Sequence, residues 1–427
     1  MTVSPARSAA FDILLKIETD HAFSSVLLPA AEEKLSPKDR GLCHDLTLGV
    51  LRRQLYLDRV IEGFTKGKRL DTEILVALRL GLYQLFYLDR IPDYSAINES
   101  VALVQRAKKT SAKGFVNAVL RRATREEPQL VYADRIDQAS IETSHPRWLL
   151  EKWINDIGEA DAIKLAETNN QFPAMAFRLT AKGVKSDPEI TRNFPKSGIT
   201  DNAFISDGDS SKLADLAEKG LIYFQDEGSQ LVGQAAAAVA GRSLLDVCAA
   251  PGSKTTQIAS ITSAHITAGD LHWPRVEFLR NSGRAQGIES VNVVQYDAET
   301  ELPFEDHSFD CVLVDAPCTG TGTIRHNPEI RYLLKPGDFE ELSSKQLRIL
   351  LNASKMARTG GQLIYSTCSL EPEENEAVCS AFLDMTSGFR VEKAEVPERL
   401  LLNSGYARTL PHRDGVDGFF IAVFTRV

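Results

Sequence analysis

The chain has 427 residues, too many for one ordinary hydrophobic core, so two or three domains are expected. Its 43% apolar and 25% charged residues are those of a soluble globular protein, and no apolar run approaches the roughly 18 residues that a membrane span needs. A net charge of −9 argues, taken alone, against a nucleic-acid ligand, but residues 1–150 carry 22 Lys and Arg against 19 Asp and Glu, so the acidic excess lies in the remainder.

The opening residues, MTVSPARSAAFDILLKIETD, hold a charge inside their only apolar stretch and show no cleavage-site pattern. A cytoplasmic protein without signal peptide or anchor is expected. Residues 1–140 read as consecutive helices forming an all-helical domain. Ser36-Pro37 predicts an N-cap followed by proline at the first helical position. Asp71 is placed to cap a helix whose Ile74, Leu75, Leu78, Leu82, Leu85 and Phe86 follow helical spacing, with Pro92 past its end. Ile97, Val101 and Val104 mark another helix, and Phe115, Val116, Val119 and Leu120 the next. From Arg106 to Arg125 there are seven basic residues (Arg106, Lys108, Lys109, Lys113, Arg121, Arg122, Arg125) and no acid. That segment is either an RNA-binding patch or a solvated helix face.

A second region, 141–230, opens on SHPRWLLEKW and mixes strand-like runs (MAFRLT, LIYF) with helical ones, as a small α+β linking subdomain would. From 231 to 427 apolar strands alternate with amphipathic helices. SLLDVC, HITAGD, NVVQYD, DCVLVD, GQLIYST and GFFIAVF are the candidate strands of a doubly wound, parallel α/β sheet. Six cysteines, none in CxxC or CxxH spacing, make neither a disulfide framework nor a zinc site, and no metal is expected. Core packing is the default for Cys43, Cys311 and Cys379.

The strand SLLDVC runs into CAAPGSKTTQIAS. Small residues there let backbone approach a ligand beyond the strand ends, where doubly wound sheets bind ligands. The loop lacks the upstream glycine of a nucleoside-triphosphate loop. Asp270 and Asp297 end the next two strands, suited to ribose hydroxyls and to an adenine amino group. Together these features point to an adenosine-containing cofactor without a polyphosphate. The fourth and fifth strands end in LVDAPCTGTG and YSTCSLEPEENE, each placing a cysteine just past a strand among Asp, Thr, Ser and Gly. Apolar packing sites do not have that composition.

CAAPGSKT, DAPCTGTG and YSTCSLEPEENE resemble the signature motifs of the RNA cytosine-C5 methyltransferases. QDEGSQL, LGVLRR and GFVNAVLRR extend the resemblance over the whole chain, to the ribosomal RNA small-subunit methyltransferase B (RsmB/Sun) group with its NusB-like N-terminal domain. The resemblance implies a class I (Rossmann-like) methyltransferase fold and S-adenosyl-L-methionine bound by Cys248, Ala249, Ala250, Pro251, Gly252, Ser253, Lys254, Asp270, Asp297 and Asp315. Arg275 matches a basic position of the family pattern, without an evident role. By the same resemblance Cys368 attacks C6 of cytosine, Asp315 hydrogen-bonds the base edge, Lys254 supplies positive charge, and Cys318 assists breakdown of the adduct. Ser253, Thr319 and Asn327 stand where glycine, serine and aspartate are commoner, which bears on cofactor affinity more than on reaction class. The expected substrate is small-subunit (16S) ribosomal RNA before assembly buries the site, with a tRNA cytosine the alternative, and a monomer is the default. Two further readings stay open. One is attack by the cysteine of Pro317-Cys318, as in DNA cytosine methyltransferases, and the other is a non-catalytic RNA-binding factor.

Overall fold

Capping and helical spacing organise the first part of the chain. The structure, a computed structural model, describes residues 3–186, 190–192, 194–206 and 210–427. Ser36 accepts a hydrogen bond from the backbone N–H of Asp39, Pro37 occupies the first turn, and the helix Pro37–Arg52 starts there. The helix Thr72–Tyr87 is buried continuously from Val76 to Gln84, not along one stripe, because other helices pack around it. Asp71 holds the N-cap position without capping, and its carboxylate instead takes Lys109 Nζ at 2.9 Å. Pro92 opens the next helix, Asp93–Arg106, and Lys113–Ala123 follows. Phe11, Leu46, Leu51, Leu78, Leu103 and Leu120 meet in one core, with no strand among the described residues of this part.

The helices Arg135–Thr143, Arg147–Ile157 and Glu159–Thr168 belong to the same compact unit, which spans Met1–Gln171 and runs past the boundary read at residue 140. It also takes in Ile324–Leu333, a segment from far along the chain. Glu329 there accepts from the backbone N–H and hydroxyl of Ser24 at 2.6 and 2.8 Å. Arg331 is fully buried and donates to the Thr143 and Asn169 carbonyls, both at 3.3 Å, and to Asn170 Oδ1 at 2.8 Å. Burial pulls its pKa down to about 10.

The second unit comprises Phe172–Thr323 and Leu334–Val427. Its small antiparallel sheet has β1 (Ala176–Leu179) between β2 (Ala203–Ile205) and β3 (Ile222–Phe224). Its main sheet contains β4 (Ser243–Asp246), β5 (His265–Asp270), β6 (Asn292–Gln295), β7 (Phe309–Asp315), β8 (Ala357–Thr367), β9 (Phe389–Glu392), β10 (Ala407–Arg408) and β11 (Phe420–Arg426). The order is β10-β11-β8-β7-β4-β5-β6, with β9 also on β11, and β8 through β6 run parallel. GFFIAVF is the exception to the expected parallel sheet: β11 pairs antiparallel with β8. β2, β9 and β10 are too short to leave a periodic trace in the sequence. Successive strand residues point to opposite faces, so Leu245, Val312 and Val314 enter one core while Leu244, Cys311 and Leu313 enter the other. Helices covering both faces are what near-continuous apolar strands require.

Replacing Arg331 by Met should lower the unfolding free energy by about 3 kcal/mol, because the Asn169 carbonyl and Asn170 Oδ1 both lose their donor. Chemical denaturation of the full-length variant reads the change, and a loss below about 0.5 kcal/mol would mean the carbonyls find other partners.

Candidate active site

Strand order places the site. The strand order reverses at β4, with β7 on one side and β5 on the other, and ligands bind in the crevice at such a switch point. A cleft of about 320 Å³ opens there, lined by Cys248, Ala250, Asp270, Arg275, Asp297, Asp315, Pro317, Cys318 and Cys368 among others. Pairing continues past the strand ends: Ala249 N–H donates to Gly269 O at 2.8 Å, and Ala316 N–H to Ser366 O at 2.8 Å.

Gly252 sits at φ +102° before the helix Ser253–Ile261, and a Cβ there would come within 2.9 Å of Leu279 Cγ. Only glycine meets both conditions without strain. Arg275, unexplained by sequence, braces this loop. It donates to the Ala250 carbonyl at 3.0 Å and lies 3.6 Å from the Asp270 carboxylate. Sequence reasoning passed over Asp246, a strand-end acid like Asp270. It is buried beneath the loop and accepts from Thr255 Oγ1 at 2.6 Å, and burial raises its pKa to about 7.

β7 and β8 pair in register, Val314 with Tyr365 and Asp315 with Ser366. Cys318 follows β7 by three residues and Cys368 follows β8 by one, which brings the sulfurs to 3.3 Å. Gly322 donates its N–H to Cys368 O at 2.9 Å, and a Cβ on it would strike Gly418 O at 2.1 Å, so this loop requires glycine. Asp315 Oδ2 accepts from Lys254 Nζ at 2.6 Å and Oδ1 from Ser366 Oγ at 2.8 Å. Lys254 also stands 5.1 Å from the Phe419 ring centre. Burial alone would lower the Lys254 pKa, but the Asp315 carboxylate more than offsets it, and the net direction is upward. The hydrogen bond with Cys368 and burial hold the Cys318 thiol well above its ordinary range. Burial likewise pushes Cys43 up to about 11 and raises Cys248, Cys311 and Cys379. Cys43, Cys311 and Cys379 are core residues, whereas Cys248 lines the cleft.

Acids outside the run partly neutralise the basic segment. Arg106 grips Asp12 at 2.8 and 2.5 Å, Lys109 pairs with Asp71 and Glu73, and Arg122 pairs with Glu126. Lys113 and Arg121 reach only Gln105 and Asn117. Among the described residues Lys108, Lys113, Arg121 and Arg125 form no ion pair.

With this geometry in view, the relatives are informative. Residues 235–425 match the family model for 16S rRNA methyltransferase RsmB/F, and residues 4–125 match that of the NusB family. A probable ribosomal RNA small subunit methyltransferase B of Bacillus subtilis is 33% identical, covering 99% of this chain and 98% of that one. The chain belongs to the RsmB/F family of 16S rRNA methyltransferases. The ribosomal RNA small subunit methyltransferase B of Pseudomonas putida is 32% identical over the same shares. In fold, the crystal structure of PH0851 matches all of both chains with a TM-score of 0.84 at 22% identity. NSun6 from Pyrococcus horikoshii matches 66% of this chain and 98% of its own with a TM-score of 0.56 at 19% identity. RsmB/F enzymes act on RNA with S-adenosylmethionine as donor.

The cleft suits that donor. Asp270 is 6% exposed; its Oδ1 accepts from His272 N–H at 3.2 Å, and its Oδ2 meets no donor among the described residues. Asp297 Oδ1 accepts from Glu299 N–H at 2.9 Å, again leaving Oδ2 without one. Both residues line the cleft, and ribose hydroxyls or an adenine amino group supply donors of the right kind for these open oxygens. Asp270→Ala should weaken S-adenosylmethionine binding by about 1.5–3 kcal/mol, the range for a hydrogen bond to a charged group. Titration calorimetry measures it, and unchanged affinity in a folded variant would take Asp270 out of the site.

Proposed function

We propose that this enzyme methylates C5 of a cytosine in small-subunit (16S) ribosomal RNA through a covalent adduct between Cys368 and C6. What supports the reading most is the thiol pair at 3.3 Å beside the Lys254–Asp315 ion pair, in the mouth of the donor cleft. S-adenosylmethionine, held by residues 248–254, Asp270 and Asp297, supplies an electrophilic methyl group. C5 of cytosine is too weak a nucleophile until a thiolate adds at C6 and makes the ring an enamine. Cys368 is that thiolate, with the Cys318 S–H as its hydrogen-bond donor. Addition moves negative charge onto N3 and O2 of the base. Lys254, with one N–H on Asp315 and two to spare, offsets that charge, while Asp315 accepts from the exocyclic amino group.

Resolution needs the C5 proton removed and the Cys368 sulfur expelled. Once Cys368 is bonded to carbon it no longer holds the Cys318 proton in place, so Cys318 releases that proton to water. The resulting thiolate takes the C5 proton as the C6–S bond breaks and its electron pair returns to the Cys368 sulfur. The order of events is thus built into the sulfur pair. The target base must leave any stack to reach these thiols, at a cost of a few kcal/mol, which favours unpaired cytosines in RNA not yet assembled. We assign the unit of residues 1–171 and 324–333 to RNA binding, 172–230 to linking and 231–323 with 334–427 to methyl transfer, in a monomer acting in the cytoplasm.

The thiol assignment is tested on a denaturing gel with RNA and S-adenosylmethionine. Cys368→Ala should give neither methylation nor adduct, whereas Cys318→Ala should accumulate protein joined to RNA, and the double variant should lose that band. An adduct in Cys368→Ala alone would invert the roles in favour of the Pro-Cys mechanism.

RNA affinity should depend on the basic residues that lack acidic partners. Neutralising Arg121 and Arg125 should shallow the log–log salt dependence by about 0.7 for each phosphate that no longer meets a cation, whereas neutralising Arg106 should change it little. Salt titrations of RNA binding compare them. An unchanged slope for Arg121 and Arg125 would make the segment a solvated face only.

A further inference from the structure

Glu374 lies in YSTCSLEPEENE, six residues beyond Cys368, and is fully buried. Taking a carboxylate out of water is costly unless donors replace its solvent. Here the donors are neutral. Oε1 accepts from the Thr319 backbone N–H and from Gln346 Nε2, each at 2.9 Å. Oε2 accepts from the hydroxyls of Thr319 and Ser369. All four groups donate to the carboxylate; the two hydroxyls can also accept, so a glutamine with its oxygen at the Oε1 position fits the same cradle without the charge. Thr319 immediately follows Cys318, and Ser369 immediately follows Cys368. Gln346 Nε2 also donates to Pro317 O at 2.9 Å, on the other side of Cys318. The carboxylate therefore ties together the two loops that carry the sulfurs, from the side away from the cleft. Its charge also adds to the Cys368 hydrogen bond and burial in holding the proton on Cys318.

The geometry points to Glu374 as a positioning residue for the thiol pair: by tethering Thr319 and Ser369 it sets the spacing of Cys318 and Cys368, and with it the resolution of the covalent adduct. This rests on the reading that both thiols act in the reaction.

Two variants divide the inference. Ser369→Ala keeps the carboxylate and cuts one tether, while Glu374→Gln keeps the shape and removes the charge. Without RNA, diamide oxidises neighbouring thiols to a disulfide, its N=N bond taking up both hydrogens. Peptide mapping should show the Cys318–Cys368 bond forming about tenfold more slowly in Ser369→Ala than in the wild type, since small displacements of reacting groups are costly. With RNA and S-adenosylmethionine, the Glu374→Gln adduct should decay about 10- to 100-fold more slowly at its plateau pH. Its pH profile should move to lower pH, because Cys318 without the neighbouring negative charge gives up its proton more readily. A merely structural carboxylate would leave that profile in place. Melting temperature and S-adenosylmethionine affinity are measured on both variants as controls. Wild-type disulfide formation in Ser369→Ala, or a wild-type plateau and pH profile in Glu374→Gln, would overturn the inference. If instead Cys318→Ala accumulates no adduct with RNA, the thiol reading itself fails, and the diamide comparison still decides whether the tether sets the sulfur spacing.

Discussion

The parallel pairing of β7 with β8 is the constraint on which the site depends. Its register sets Asp315 beside Ser366 and carries the following residues past the sheet edge on the same side. The sulfurs meet because their loops leave neighbouring strands at the same level, and no local sequence feature could bring residues 50 positions apart to 3.3 Å. The same pairing presents Asp315 to Lys254, which arrives from the first turn of the helix after β4.

The chemistry follows from how the low-dielectric interior divides two like groups. Two thiols this close cannot both ionise readily, so one keeps its proton and donates it to the other. Burial and the neighbouring sulfur favour the proton on Cys318. Lys254 is a buried cation that stays charged because its counter-ion, the cleft-lining Asp315, lies 2.6 Å away. A lysine without Asp315 would pay desolvation alone and lose its proton more easily.

The helical unit solves a different problem. Its core is built largely from local helix packing, yet the unit also includes Ile324–Leu333, contributed from the other half of the chain. Glu329 and Arg331 are buried there with hydrogen-bond partners spread over Ser24, Thr143, Asn169 and Asn170. Residues 318 to 323, which carry the Cys318 sulfur and the Gly322 N–H, lead directly into that segment. The chain therefore leaves the second unit just after the Cys318 loop and returns at Leu334.

Helical spacing and capping residues made the N-terminal helices legible in the sequence, and apolar runs ending in Asp or Cys marked the parallel strands. Those signals are local, so sequence alone determined them. The motif residues were also legible as chemistry, since Asp, Thr and Gly around two cysteines do not suit a packing site. Tertiary structure alone decided which strands are neighbours, that β11 runs antiparallel, and that Arg275 serves the loop around Ala250. It also decided that Arg106 and Lys109 spend their charge on Asp12, Asp71 and Glu73. The acid-free run from 106 to 125 hid this, because charge compensation acts through space and a side chain finds its partner wherever the fold brings one. Glu374 shows the same limit: in EPEENE it is one acid among several, and only burial against Thr319 and Ser369 sets it apart from the others.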